Sequence, residues 1–169
     1  MKTIFICICV LCAFSAFAQA QEATKATATL EPKSESKVTG VVTFTKTGAE
    51  TRVVADIENL TPGKHGFHIH EKGDCSAADA SSAGGHFNPT HQHHGGPTGT
   101  ERHAGDLGNI EADASGKAHL DWTGKLSLRG SDSIIGKSVV VHEKADDLKT
   151  DPAGNSGARI ACGEIHASQ

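Results

Sequence analysis

Aromatic residues are scarce in this chain of 169 residues, which has no tyrosine, one tryptophan and six phenylalanines. Its hydrophobic core must therefore consist mainly of Val, Ile, Leu and Ala side chains. Clusters of lysine and arginine are lacking too, and the formal net charge is -4, so nucleic acid is not an expected partner. Helix-periodic stretches are almost absent while glycine occurs 19 times, which favours an all-β fold within one domain.

The chain also lacks an apolar run of the ~20 residues that are needed to cross a bilayer. Its longest such run, residues 4–18, follows a lysine and ends in small side chains, which is the pattern of an export signal. We predict a signal peptide over residues 1–20, with cleavage after Ala18 or Ala20, and one mature domain over residues 21–169. An uncleaved anchor or a first strand is the alternative. The mature protein is then expected in the periplasm, or alternatively outside the cell, without membrane attachment.

Cysteine is rare outside this predicted signal. Cys7, Cys9 and Cys12 belong to the signal, and only Cys75 and Cys162 remain in the mature chain. An even pair in an exported protein predicts a disulfide. Closing a loop of this length restricts the unfolded chain by roughly 4 to 5 kcal/mol in the chain-entropy model. Two metal-binding thiols are the alternative, which is disfavoured because neither cysteine lies in a Cys-x-x-Cys pair.

Short β-type runs recur between turn signals, without a repeat of fixed period. About eight such runs are present, at residues 26–30, 38–45, 51–57, 63–71, 105–112, 117–122, 138–142 and 159–165. This number and spacing predict two antiparallel sheets packed face to face, as in a sandwich or barrel. Two long connections, residues 72–103 and 143–158, interrupt the strands, and long irregular loops in a compact domain are usually functional.

Histidines border or fill both long connections. Six histidines and one aspartate have spacings suited to two adjacent metal ions: His68, His70, His86, His94, His103, Asp106 and His142. Imidazole binds both copper and zinc, and one carboxylate among imidazoles is common around zinc. Because side chains alternate along a strand, His68 and His70 share one face and can reach one ion, while Phe67 and Ile69 face the other way.

Six segments closely resemble copper/zinc superoxide dismutase. They are GFHIHE (66–71), GGHFNP (84–89), HGGP (94–97), ERHAGDLGN (101–109), VVHEKADD (140–147) and GNSGARIACG (154–163). The resemblance spans nearly the whole mature chain. It implies an eight-stranded antiparallel Greek-key barrel with two long functional loops. It also implies dismutation of superoxide, the small-molecule substrate, to dioxygen and hydrogen peroxide through alternating reduction and reoxidation of copper.

The resemblance further implies a role for each site residue. The copper ligands would be His68, His70, His86 and His142. The zinc ligands would be His86, His94, His103 and Asp106. His86 would bridge the two ions and supply a proton, and Arg159 would dock the anion beside copper. Asp146 would accept hydrogen bonds from His68 and His94 and so connect the two sites.

Other histidines compete for these roles. His91 and His93 lie in the zinc-side connection, but His94 alone precedes the Gly-Gly-Pro turn of the motif. His119 and His166 match no ligand position, and we expect them to be structural or exposed. A structural role is also favoured for His65, for which a functional role is the alternative.

Loop lengths distinguish this chain from cytosolic members of the family. Cys75 follows Asp74 directly and ten residues separate it from His86, so this loop is rearranged and extended, whereas the connection over residues 143–158 is short. Both traits resemble secreted bacterial members, and the family resemblance allows a homodimer. A secreted copper and zinc store or carrier without turnover is the alternative function, but a carrier has no need of an arginine such as Arg159 for docking an anion.

Overall fold

The computed structural model describes residues 23–168, so the predicted signal peptide lies outside the described residues. In this part of the chain nine β-strands and one short 3-10 helix, Ser81–Ala83, are present. The strands are β1 (Lys25–Pro32), β2 (Thr39–Thr47), β3 (Glu50–Glu58), β4 (Gly63–His70), β5 (Asp106–Ala112), β6 (Ala118–Gly124), β7 (Ser138–His142), β8 (Arg159–Glu164) and β9 (His166–Ser168). Within residues 23–168 no helix is long and apolar enough to span a membrane.

The strands form one closed antiparallel barrel. Their order is β2-β3-β6-β5-β4-β7-β8-β1-β9, and a further pairing of β2 with β1 closes the sheet. β8 and β9 pair with opposite ends of β1, β8 at its last two residues and β9 at its first three. They therefore occupy one position in the barrel, and the eight predicted strands account for the closed sheet. Pairing of β3 with β6 and of β4 with β7 gives the predicted Greek-key crossovers.

Aliphatic side chains fill the barrel, as the scarcity of aromatics predicts. Successive β3 residues alternate between buried and outward-facing positions, and Val53, Ala55 and Ile57 lie inside. β4 is different because six consecutive residues, ending at His70, are buried. Its inner face packs Phe67 and Ile69 into the core, as alternation predicts. Its outer face is buried as well, because the two long connections cover it.

A disulfide fastens the first long connection to the barrel. Cys75, in the connection after β4, is bonded to Cys162 in β8, with their Cα atoms 5.7 Å apart. Cys162 is fully buried and packs with Val140 and Ala83 in a small apolar cluster outside the main core. The bond therefore holds the loop that carries His86 against β8, which pairs with β7 and so lies beside His142.

Candidate metal centre

Two β-bulges lie beside histidines on neighbouring strands. The pairing of β4 with β5 shifts between Gly66 and His68, and the pairing of β7 with β8 shifts between Val141 and His142. A bulge bends the strand locally and changes the direction of a side chain. His68 and His142 are thereby brought towards the same point on the outer face of the barrel, where their ring centroids are 4.9 Å apart.

Four buried imidazoles, which we call the four-histidine group, converge at this point. Its members are His68, His70, His86 and His142, and one ring nitrogen of each lies within 4.8 Å of the others. The Nε2 atoms of His70 and His142 are 3.4 Å apart, while their Nδ1 atoms face the carbonyl oxygens of Gly84 and Gly157. Among the described residues, His68 Nδ1 and His86 Nε2 are buried without a hydrogen-bond partner. Four ring nitrogens are thus directed at one position, as a copper ion requires.

A second buried set, the aspartate group, shares His86 with the first. Its members are His86, His94, His103 and Asp106. The Nδ1 atoms of the three imidazoles lie 2.8, 3.1 and 3.2 Å from Asp106 Oδ1, and the Nδ1 atoms of His103 and His86 are 3.4 Å apart. Ligands placed tetrahedrally about 2.0 to 2.1 Å from zinc would be separated by about 3.3 Å. The measured separations fit a tetrahedral zinc site.

Asp106 is oriented by the backbone of its own loop. Its second oxygen, Oδ2, accepts hydrogen bonds from the N–H groups of Gly95, at 3.0 Å, and His103, at 2.9 Å. Oδ1 is therefore left to face the three imidazoles. The turn that follows His94 supplies one of these donors, which explains why a Gly-Gly-Pro turn accompanies this histidine rather than His91 or His93.

Asp146 joins the two groups. Its Oδ2 atom is 2.8 Å from His68 Nε2, and its Oδ1 atom is 2.9 Å from His94 Nε2. Asn109 on β5 holds the backbone of Asp146 through two hydrogen bonds, at 2.7 and 3.0 Å. Gly154 lies directly behind, with φ of 60°, and a Cβ atom there would collide with the Asp146 carboxylate. Glycine at this position therefore leaves room for the carboxylate between the two imidazoles.

Arg159 lies beside the four-histidine group. It is opposite His142 in the pairing of β7 with β8, and its Nη1 atom donates a 2.7 Å hydrogen bond to the carbonyl of Ala80 in the disulfide-bonded loop. Burial and neighbouring imidazoles lower the pKa of His70 and His142, and the charge of Arg159 lowers them further. The guanidinium therefore exerts its positive charge at this group.

Comparison with known proteins agrees with this arrangement. The family model for copper/zinc superoxide dismutase matches residues 38–165, which is more than half of the chain. The chain belongs to the copper/zinc superoxide dismutase family. Its activity is the dismutation of superoxide, and its cofactors are copper and zinc.

Individual relatives match most of the chain. An extracellular superoxide dismutase of Caenorhabditis elegans is 46% identical over 79% of this chain and 63% of its own length. A superoxide dismutase of Onchocerca volvulus is 47% identical over 76% of this chain and 88% of its own length. The crystal structure of the clock protein EA4 superposes with a TM-score of 0.80 and 42% identity, over 87% of this chain and 96% of that one.

The relatives from Caenorhabditis elegans and Onchocerca volvulus are eukaryotic, and the first is extracellular, so they do not support the prediction of a bacterial-like form. That prediction depended on the lengths of two loops. Loops tolerate insertions and deletions more readily than the barrel strands do, so their length is a weak indicator of the subgroup within this dismutase family.

Burial sets the protonation of three members of the four-histidine group. Burial lowers the pKa of His68 to about 4 and that of His142 to about 3, and it holds the pKa of His70 well below its usual value. These imidazoles are therefore neutral at pH 7. Neutral rings retain the lone pair that binds a metal ion.

The aspartate group carries a different charge. Burial disfavours ionisation of Asp106, but hydrogen bonds from His86, His94 and the Gly95 N–H hold its pKa well below the usual range. Burial also disfavours a charged His94, but the hydrogen bonds to Asp106 and Asp146 raise its pKa to about 10. In the metal-free protein His94 therefore carries a second ring proton at neutral pH.

We expect zinc uptake to displace this proton. Between about pH 7 and pH 9, binding should release about one proton, and the apparent affinity should rise about tenfold per pH unit, because the His94 pKa of about 10 lies above this window. Calorimetric titration of metal-free protein with zinc, in buffers of different ionisation enthalpy, measures the release. Uptake without proton release at pH 7 would contradict the assignment of this proton to His94.

Three histidines outside the two groups have other partners. His93 is exposed and is bonded to Asp151, and His119 forms an exposed pair with Asp56. His65 is buried, with Nδ1 at 2.9 Å from the His142 carbonyl and Nε2 at 2.8 Å from the Thr61 carbonyl. It is structural, as predicted, but its contact with the backbone of His142 was not evident from the sequence.

Proposed function

We propose that the four-histidine group holds the catalytic copper and the aspartate group holds zinc. The observation that carries this proposal is the position of His86. Its Nδ1 atom is 2.8 Å from Asp106 Oδ1 in one group, and its buried Nε2 atom is without a hydrogen-bond partner among residues 23–168 and belongs to the other group. One imidazole thus presents one nitrogen to each group, as two adjacent ions require.

Copper, when bound, supplies the one-electron chemistry that superoxide dismutation needs, and zinc has no redox chemistry of its own. The protein supplies the proton and the position of the anion. His86 would suit proton transfer, because an imidazole that held both ions would carry no ring proton, whereas a free Nε2 atom can hold one. Its Nδ1 atom lies among His94, His103 and Asp106, which would keep the ring oriented while Nε2 held the proton.

Arg159 is proposed to dock superoxide. Superoxide is a small anion, and its capture depends on a local positive charge because the chain as a whole is negative, with a formal charge of -4. The hydrogen bond to the Ala80 carbonyl fixes one edge of the guanidinium. The disulfide at Cys75 and Cys162 holds the loop that provides this carbonyl, which connects the disulfide to the capture of substrate.

Zinc is proposed to be chiefly structural, and Asp106→Ala tests this. We expect the variant to lose zinc and thermal stability before it loses all copper-dependent turnover, because Oδ1 contacts all three imidazoles of the aspartate group. Zinc content and melting temperature measure the effect. Asp121→Ala is the matched control, since Asp121 pairs with Arg52 on the exposed face of the barrel. Zinc affinity equal to that of the wild type in Asp106→Ala would show that the ligand set is wrong.

The protein is further proposed to be exported, with residues 1–20 as the signal and residues 21–169 as the mature enzyme. The apolar segment at the start of the sequence and the extracellular relative of Caenorhabditis elegans support secretion. Between the two predicted destinations these observations favour the extracellular space over the periplasm. N-terminal sequencing of secreted protein would identify the cleavage site, and sedimentation would test the homodimer, which stays a prediction.

The deciding experiment measures superoxide dismutation, and its inhibition by small anions, in protein reconstituted with copper and zinc. We expect turnover to rise with copper content and to reach its maximum at one copper ion per chain. Stoichiometric binding of both metals without turnover would instead favour the metal store or carrier.

A further inference from the structure

Two separate contacts connect the loop over residues 143–158 to His94. The first is the hydrogen bond that His94 Nε2 donates to Asp146 Oδ1, at 2.9 Å. The second is made by Asp151, whose Oδ1 atom accepts a 2.7 Å hydrogen bond from the His94 backbone N–H. His94 is buried, at 4% exposure. The loop therefore contacts this residue at its ring and at its backbone.

Asp151 also reaches the neighbouring side chain. Its Oδ2 atom lies 2.6 Å from His93 Nδ1. The side chains of this pair are 50% and 82% exposed, and exposed ion pairs contribute little to stability. The contact of Asp151 Oδ1 is different, because it holds the backbone of the buried residue His94. The orientation of the His94 ring determines whether its Nδ1 atom faces the aspartate group.

We propose that Asp151 is a positioning residue for zinc, which holds the backbone of His94 so that the Nδ1 atom of its ring stays directed at the aspartate group. The contact with Asp146 holds only the Nε2 atom of the His94 ring, and the ring can still tilt about that atom. With the backbone N–H held by Asp151 and Nε2 held by Asp146, the remaining nitrogen lies 3.1 Å from Asp106 Oδ1. The inference rests on the zinc ligand set proposed above.

Zinc release is the property that should respond. Loss of a hydrogen bond from a carboxylate that is half exposed should speed release about 5- to 20-fold in Asp151→Ala, since hydrogen bonds to charged groups are stronger than neutral ones but are weakened by solvent. Asp151→Asn retains an acceptor oxygen for the His94 N–H, so it should release zinc less than about threefold faster than the wild type. Rescue by this conservative variant separates positioning from a general loss of folding.

The chain offers two matched controls. Asp147 lies in the same loop, but its carboxylate accepts hydrogen bonds from Lys149, Thr150 and Asn155, which all belong to that loop. Asp147→Ala therefore loosens the loop without touching His94. His93→Ala removes the exposed pair but leaves the Oδ1 contact in place.

The experiment follows zinc transfer from copper- and zinc-loaded protein to an excess of a chromogenic chelator, after zinc stoichiometry has been measured in the wild type. We expect fast release in Asp151→Ala, near-normal release in Asp151→Asn, and release within twofold of the wild type in both controls.

The inference is overturned if Asp151→Ala releases zinc within twofold of the wild-type rate, if Asp151→Asn releases zinc as fast as Asp151→Ala, or if either control releases zinc as fast as Asp151→Ala. Wild-type protein that binds no zinc would instead refute the proposed ligand set, so the two failures are distinguishable. Should Asp151→Ala not fold, Asp151→Ser takes its place with the same expected and overturning results, because its shorter side chain ends one bond before the oxygen that accepts from the His94 N–H.

Discussion

Replacement of His86 by alanine should abolish dismutation and weaken both metal sites together. The imidazole presents Nδ1 to the aspartate group and Nε2 to the four-histidine group, so one substitution removes a member of each proposed ligand set. Mutation of a residue that hydrogen-bonds to a metal ligand typically lowers metal affinity or activity about 10- to 100-fold. Because His86 is proposed as a ligand itself, and of both ions, we expect turnover to fall by more than about 100-fold. Copper and zinc content, visible absorption of the copper form, and superoxide assays measure the effect.

His119→Ala is the control for this variant, because His119 is exposed and pairs with Asp56 on the barrel surface. It should leave metal content and turnover unchanged. Full activity with normal copper and zinc content in His86→Ala would contradict the two-metal interpretation. Loss of one metal with full retention of the other would show that the ring serves a single ion.

Replacement of Arg159 by alanine should slow capture of superoxide while metal content stays normal. At ~6 Å and an effective dielectric constant near 20, one unit charge attracts another by about 2 to 3 kcal/mol, which bounds the loss at roughly 30- to 150-fold. Superoxide dismutase is counted among enzymes that reach the diffusion limit, so capture should control the rate. We expect a loss of at least several-fold, weaker inhibition by small anions, and a flatter dependence of the rate on salt.

Two further variants make this prediction specific. Arg159→Lys should be intermediate, since it keeps the charge but loses the planar pair of donors, one of which bonds to Ala80. Arg52→Ala removes the same charge from the exposed pair with Asp121, and it should change the rate little. Wild-type turnover and anion sensitivity in fully metallated Arg159→Ala would show that the docking role is wrong.

Local pattern was sufficient for much of the fold. The bounds of the eight predicted strands differ from those in the structure by two residues or fewer, and the predicted alternation in β4 places Phe67 and Ile69 in the core. Both results depend on side-chain periodicity along a strand, which is a property of consecutive residues. Burial of the outer face of β4 could not be predicted from the local pattern, because it depends on loops that are distant in the sequence.

Residue order was enough to predict the all-β class, the segments that contain the metal-binding candidates, and the pair of cysteines available for a disulfide. Which atoms of those side chains meet depends on the folded barrel and its loops. Barrel closure brings His65 to the carbonyl of His142, 77 positions away, and the turn in the loop over residues 143–158 places Asp151 against the backbone of His94. Contacts of this kind have no periodic signal, because a side chain that bonds to a distant backbone group is constrained by the path of the chain and not by its sequence neighbours. The orientation of each imidazole is therefore a property of the closed barrel and its two covering loops.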